Sequence, residues 1–245
     1  MKYTREKIEE VMTSKGYKYF TDSNNKTYDV NIIGIRNSKT KGRVTNAFDD
    51  TMTISYKSED GEWQYNEFNC TTDPGTHWVK NILNEKGVAI LKPGQYRGSH
   101  KIRLHQGKYL ALGQKKEVTV YRDNNFDANY DLDESKTDTG IFGINIHRAT
   151  GKKHATSTRV DKWSAGCQVV ADNDDWHYFL AICQAAEKIH GNSFSYTLLE
   201  SAELEGNIIK PTLSKSAPSK SPNTSAVSSF TKTVALKTKK LNDIV

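Results

Sequence analysis

The chain is expected to fold as a mainly β protein with flanking helices, an α+β arrangement, and three observations predict it. Short apolar runs, several of them strictly alternating, recur between residues 28 and 122 and are punctuated by Asn-, Asp-, Pro- and Gly-rich turns. Helical periodicity is confined to residues 4–15 and 172–190. No solenoid-length repeat, P-loop or dinucleotide fingerprint competes with that pattern.

In chain order, Thr4 caps a short helix whose stripe is Ile8, Val11 and Met12 and whose stop is Gly16. Tyr28–Ile35 has the composition of a buried strand. Thr51–Tyr56 and Trp63–Cys70 flank the turn Ser58-Glu59-Asp60-Gly61 as a hairpin, and Asp73-Pro74-Gly75 is a further turn. Val88–Leu91 precedes Pro93-Gly94. Ser99–Leu104 and Lys108–Leu112 face each other across His105-Gln106-Gly107, and Glu117–Arg122 alternates cleanly. The acidic segment that follows, with Asp131, Asp133 and Glu134, is expected to be a solvated loop without EF-hand spacing. Asp172–Asp174 cap a helix that Gly191 ends, and Ser193–Leu199 is a closing strand.

Residues 1–80 are expected to be integral to the body, 81–209 to be the catalytic portion, and 210–245 to be a disordered Ser/Thr/Lys/Pro-rich tail. That tail holds seven lysines against one aspartate, which accounts for the whole net charge of +6. The body is therefore balanced, which argues against a nucleic-acid-binding face. The tail suits a tether to a protein or an anionic surface. The mean hydropathy of -0.72 and the absence of a long apolar run predict no membrane span. The charged amino-terminal segment lacks a signal-peptide core, so synthesis in a bacterial cytoplasm without that signal is expected.

Three cysteines, Cys70, Cys167 and Cys183, form no complete disulfide framework, and no Cys/His cluster has zinc spacing; no metal or cofactor is expected. Cys183 falls on the apolar stripe of a helix and Cys70 ends a strand. Cys167 alone follows a glycine in a turn, Ser164-Ala165-Gly166-Cys167, which suits a nucleophile that a substrate must approach closely. His147, at the end of an apolar run, is the preferred base. The N–H groups of Gly166 and Cys167 are candidate oxyanion donors. Trp163, Arg148, Gln168 and His105 are candidate substrate contacts around this pair, while His154 lies in a Lys-, Thr- and Ser-rich loop.

His147, the sixteen residues after it and then Ser164-Ala165-Gly166-Cys167 resemble the catalytic motif of the L,D-transpeptidase (YkuD-type) domain, in which a histidine is followed at a similar interval by Ser/Thr-His-Gly-Cys. The resemblance implies an antiparallel β-sandwich-like catalytic domain and a cysteine acyl-enzyme mechanism on peptidoglycan stem peptides. It also implies that Cys167 is the nucleophile, His147 the base and Ser164 a supporting group. Ala165 stands where the family usually has histidine, and Gln168-Val169 where it has an apolar residue and arginine. The run from Gly143 to Val170 also looks similar to bacteriophage-encoded proteins, which implies a virion-associated or lysis-released wall enzyme. The alternative is a wall-binding or virion structural protein that keeps the fold without turnover. Deletion of residues 210–245 is expected to leave a cooperative thermal transition, because no core periodicity extends past Leu204.

Overall fold

The computed structural model describes residues 2–21 and 26–205; the expected basic tail of residues 210–245 lies outside the described residues. The elements in chain order begin with α1 (Arg5–Ser14), β1 (Asn31–Arg36), β2 (Asp50–Lys57), β3 (Trp63–Thr71), α2 (Thr76–Lys80) and β4 (Val88–Leu91). They continue with β5 (Gly94–His105), β6 (Tyr109–Gln114), β7 (Val118–Asp123), β8 (Thr137–Gly140), β9 (Ile146–Arg148) and β10 (Gln168–Val170). The described chain ends with α3 (Asn173–His190), β11 (Phe194–Glu200) and α4 (Ser201–Glu205).

Eight strands close into a barrel in the order β1-β11-β5-β6-β9-β10-β3-β2, and β4-β7-β8 form a separate three-stranded sheet. The protein is thus mainly β with few helices, and the first three strands are staves of the same barrel as the Cys167 turn. Most pairings are antiparallel, but β1 with β11 and β9 with β10 run parallel. The β2–β3 hairpin and the β5–β6 hairpin form where alternation predicted them. β1 starts later than expected because Tyr28 has φ 58 and its N–H is bonded to Lys57 O.

Burial explains the layers. All six residues of β1 are buried, since Ile32 faces the barrel core while Ile33 and Ile35 lie beneath Ile8, Val11 and Met12 of α1. The Thr4 hydroxyl accepts from Lys7 N–H as the α1 cap, and the Asp172 carboxylate caps α3 through Asp174 and Asp175. Trp176, Phe179 and Cys183 of α3 pack into the main core, where Phe179 meets Phe68 edge-on at 6.0 Å. Cys70 and Cys183 are fully buried, and burial pushes both thiols up.

A polar chain runs through the barrel. Tyr196 Oη donates to Gln168 Oε1 at 2.7 Å, and Gln168 Nε2 donates to the Thr72 and Gly166 carbonyls. Arg36 is 4% exposed, donates to Leu91 O at 2.8 Å and pairs with Asp73 at 2.9 Å. Gly34 makes room for this chain, because a Cβ there would lie 1.9 Å from Tyr196 Oη. Gly34→Ala should therefore destabilise the fold by about 1–3 kcal/mol in denaturant unfolding. Adding Tyr196→Phe should recover part of that loss; additive losses would contradict this packing.

Candidate active site

The site is built by the parallel pairing of β9 and β10, whose register sets Gln168 opposite Ile146 and Val169 opposite His147. Side chains alternate along a strand, so Ile146, Gln168 and Val170 point into the barrel. Asn145, His147 and Cys167 fall on the outer face. The β5–β6 hairpin continues that face: Ile102 and Leu112 join the core, while Arg103 and His105 line a cavity of about 470 Å³ together with Asn145 and Cys167.

Ser164 closes the turn before Cys167 from inside. It is fully buried, its Oγ accepts the Gly166 N–H at 3.1 Å and donates to Cys167 O at 2.8 Å. Gly166 has φ 125, and a Cβ there would sit 2.1 Å from Ala89 O, so the turn requires glycine on both grounds. The expected oxyanion pair is thereby reduced. Gly166 N–H is committed to Ser164, whereas Cys167 N–H has no hydrogen-bond partner among the described residues.

Cys167 is half-buried, and its Sγ donates to Gly143 O at 3.3 Å. Burial pushes the thiol up to about 11, and the Asn145 N–H works in the opposite direction by stabilising the thiolate. His147 is 4% exposed; its Nδ1 lies 2.8 Å from Arg148 O and 3.3 Å from Tyr109 Oη. A carbonyl only accepts, so Nδ1 carries the proton and Nε2 the lone pair. Burial, reinforced by His105, pulls His147 down to about 4. The two groups are diagonal neighbours on adjacent strands, and His147 is not among the hydrogen-bond partners of Cys167.

His105 takes a larger part than a turn position suggests. Its ring stacks on His147 at 4.4 Å between centroids, with 24° between planes. Asn145 Oδ1 accepts Gln114 N–H at 2.9 Å, which fixes the amide and leaves Asn145 Nδ2 facing His105 Nδ1 at 3.4 Å. His105 therefore accepts at Nδ1 and carries its proton on Nε2, the opposite tautomer from His147. Burial, with the Arg103 charge, lowers its pKa as well.

The other expected residues are distributed differently. Arg148 stacks on the Tyr109 ring at 4.3 Å and donates to Asn173 Oδ1 at 2.9 Å, so its guanidinium is held away from the Cys167 cavity. Gln168 points into the barrel and is fully buried, which takes it away from the cleft. Trp163 is 44% exposed and lines a different cavity with His77 and Asp161. Tyr109, Arg103 and Asn145 were not singled out from the sequence. Their signal is the outward parity of the β5–β6 hairpin, which becomes informative only once its pairing with β9 is known. His154 is exposed and pairs with Asp174.

Compared with protein-family models, with curated proteins and with solved structures, the chain gives no match. Among the described residues no helix is long and apolar enough to cross a membrane.

Alkylation of Cys167 by a small neutral reagent should be slow at neutral pH and rise towards a midpoint near 11. A midpoint at or below about 8.5, the unperturbed value, would contradict the burial described.

Proposed function

We propose that the chain is a cysteine-dependent acyl-transfer enzyme of L,D-transpeptidase type that acts on peptidoglycan stem peptides. The observation that carries this reading is the cavity shared by Cys167 and His105, with His147 stacked on His105 in the opposite tautomer. Arg103, exposed at the same cavity, gives it a positive charge suited to a carboxylate-bearing peptide.

In the resting site thiol and imidazole are both neutral. The reaction begins when Cys167 Sγ attacks the donor carbonyl and passes its proton to His147 Nε2 as the S–C bond forms. Cys167 N–H and His105 Nε2–H donate to the oxyanion. Collapse of the tetrahedral species breaks the C–N bond, and the departing amine takes the proton from His147. Water or a second amine then attacks the thioester and returns the proton to sulfur. Water makes the enzyme an L,D-carboxypeptidase or endopeptidase, and an amine makes it a transpeptidase. A virion-carried or lysis-released wall enzyme fits either outcome.

The second reading is a wall-binding or virion structural protein without turnover. Two observations favour it: the uncharged Cys167–His147 pair, and the commitment of Gly166 N–H to Ser164.

Purified peptidoglycan incubated with wild type should yield new muropeptides by mass spectrometry, and Cys167→Ala should yield none. Identical product profiles would refute the enzyme reading. His147→Asn should lower the rate by about 10²–10⁴-fold, the usual span for general acid–base catalysis. In the wild type the rate should stay flat through neutral pH and fall only as pH drops through about 4, where His147 takes up a proton. A fall beginning near 6.5 would point to an unshifted imidazole.

A further inference from the structure

The acidic, Asn-rich segment is expected from its sequence to be a solvated loop, but the structure buries its first residue, Asp123, at the end of β7. From there oxygen-bearing side chains alternate as Asp123, Asn125, Asp127, Asn129 and Asp131. That is the alternation of an oxygen-ligand calcium loop, in which the seventh position contributes its backbone carbonyl.

Asp123 ends β7, is 1% exposed, and among the described residues its Oδ2 is buried without a hydrogen-bond partner. An orphaned buried carboxylate oxygen is costly unless something positive completes it. The loop wraps this group: Asn125 N–H approaches Asp123 Oδ1 at 3.4 Å, Asp127 N–H donates to Asn125 Oδ1 at 3.0 Å, and Asn129 N–H donates to Asp127 Oδ1 at 2.6 Å. Asn125 Nδ2 bridges Asp127 Oδ2 at 3.2 Å and Asp131 Oδ1 at 3.1 Å, holding together two carboxylates that would otherwise repel.

We propose that this loop binds a calcium ion through the carboxylates of Asp123, Asp127 and Asp131, the side-chain oxygen of Asn125 and the backbone carbonyl of Asn129. The cation replaces the Asn125 N–H as the bridge between Asp127 and Asp131. Among the described residues no three acidic, histidine or cysteine side chains already stand as a ligand cluster, so binding requires this exchange. The loop base is braced for it: Tyr130 Oη donates to Pro74 O at 2.6 Å, Tyr130 N–H to Gly42 O at 2.7 Å, and Val44 N–H to Ala128 O at 2.8 Å. Two features depart from an EF-hand. Ala128 holds the sixth position, and Glu134, the twelfth, is engaged by Tyr121 and Lys92. Lys136 approaches Asp131 Oδ2 at 3.5 Å and competes for that oxygen. With the last ligand otherwise occupied, the affinity should be that of a weak module, on the order of 10⁻⁴ M. The site is independent of whether Cys167 turns over a substrate.

Terbium luminescence sensitised by Tyr130 tests it on the full chain. A saturable signal displaced by calcium is expected, with at least about tenfold weaker binding in Asp127→Asn and unchanged binding in Asp133→Asn, whose carboxylate serves Ser135. No calcium-displaceable signal, or equal affinity in Asp127→Asn and wild type, would overturn the proposal. If Asp127→Asn fails to fold, the wild-type melting temperature decides: it should rise from chelator to millimolar calcium, and an unmoved transition would overturn the site.

Discussion

The parallel register between β9 and β10 is the constraint on which the candidate site depends. One residue of slip would turn Cys167 into the barrel and Gln168 onto the surface, since neighbouring side chains face opposite ways. Three residues per strand are too few to hold that register by ladder hydrogen bonds alone. The inward amide of Gln168, bonded to Tyr196, Thr72 and Gly166, supplies a fixed point on one side. Ser164 and the glycine-only conformation at Gly166 supply it on the other. A polar residue inside the barrel is thus a register device for the outer face.

The same burial that orders the site sets its electrostatics. Desolvation raises the Cys167 thiol and lowers the His147 imidazole, so the neutral pair wins over the ion pair in the resting state. Two stacked imidazoles reinforce this, because a proton on one disfavours a proton on the other. The proposed chemistry would then require proton transfer concerted with attack, with the developing charge met by a donor already in place. In that proposal His105, with its proton on Nε2, and the Cys167 N–H, without a partner among the described residues, are the donors.

Legibility from the sequence followed the range of each interaction. Helices α1 and α3, the β2–β3 and β5–β6 hairpins, and the core position of Cys183 rest on local periodicity and capping and formed where periodicity placed them, whereas the short α2 and α4 carry no such periodicity. The candidate nucleophile and base were visible because His147 ends an apolar run and Cys167 follows a glycine. The closed barrel was not visible, since β1 pairs with β11 across most of the chain. Nor was the direction of Gln168, because a three-residue strand beside a glycine turn carries no parity of its own. His105 and Tyr109 belong to a hairpin whose outward face acquires meaning only when β6 meets β9. The oxygen alternation from Asp123 to Asp131 is present in the sequence, but the burial of Asp123, with its Oδ2 unpartnered among the described residues, comes only from the fold.

The central claim is that Cys167 carries the acyl group during turnover. Intact-protein mass spectrometry of the full chain, quenched in acid during reaction with a soluble disaccharide-peptide donor, tests it most directly. The account predicts a mass gain equal to the acyl portion of the donor, located by digestion to the peptide containing Cys167 and absent from Cys167→Ser. An unmodified Cys167 while donor is being consumed, or a donor left intact by the folded protein, would contradict it.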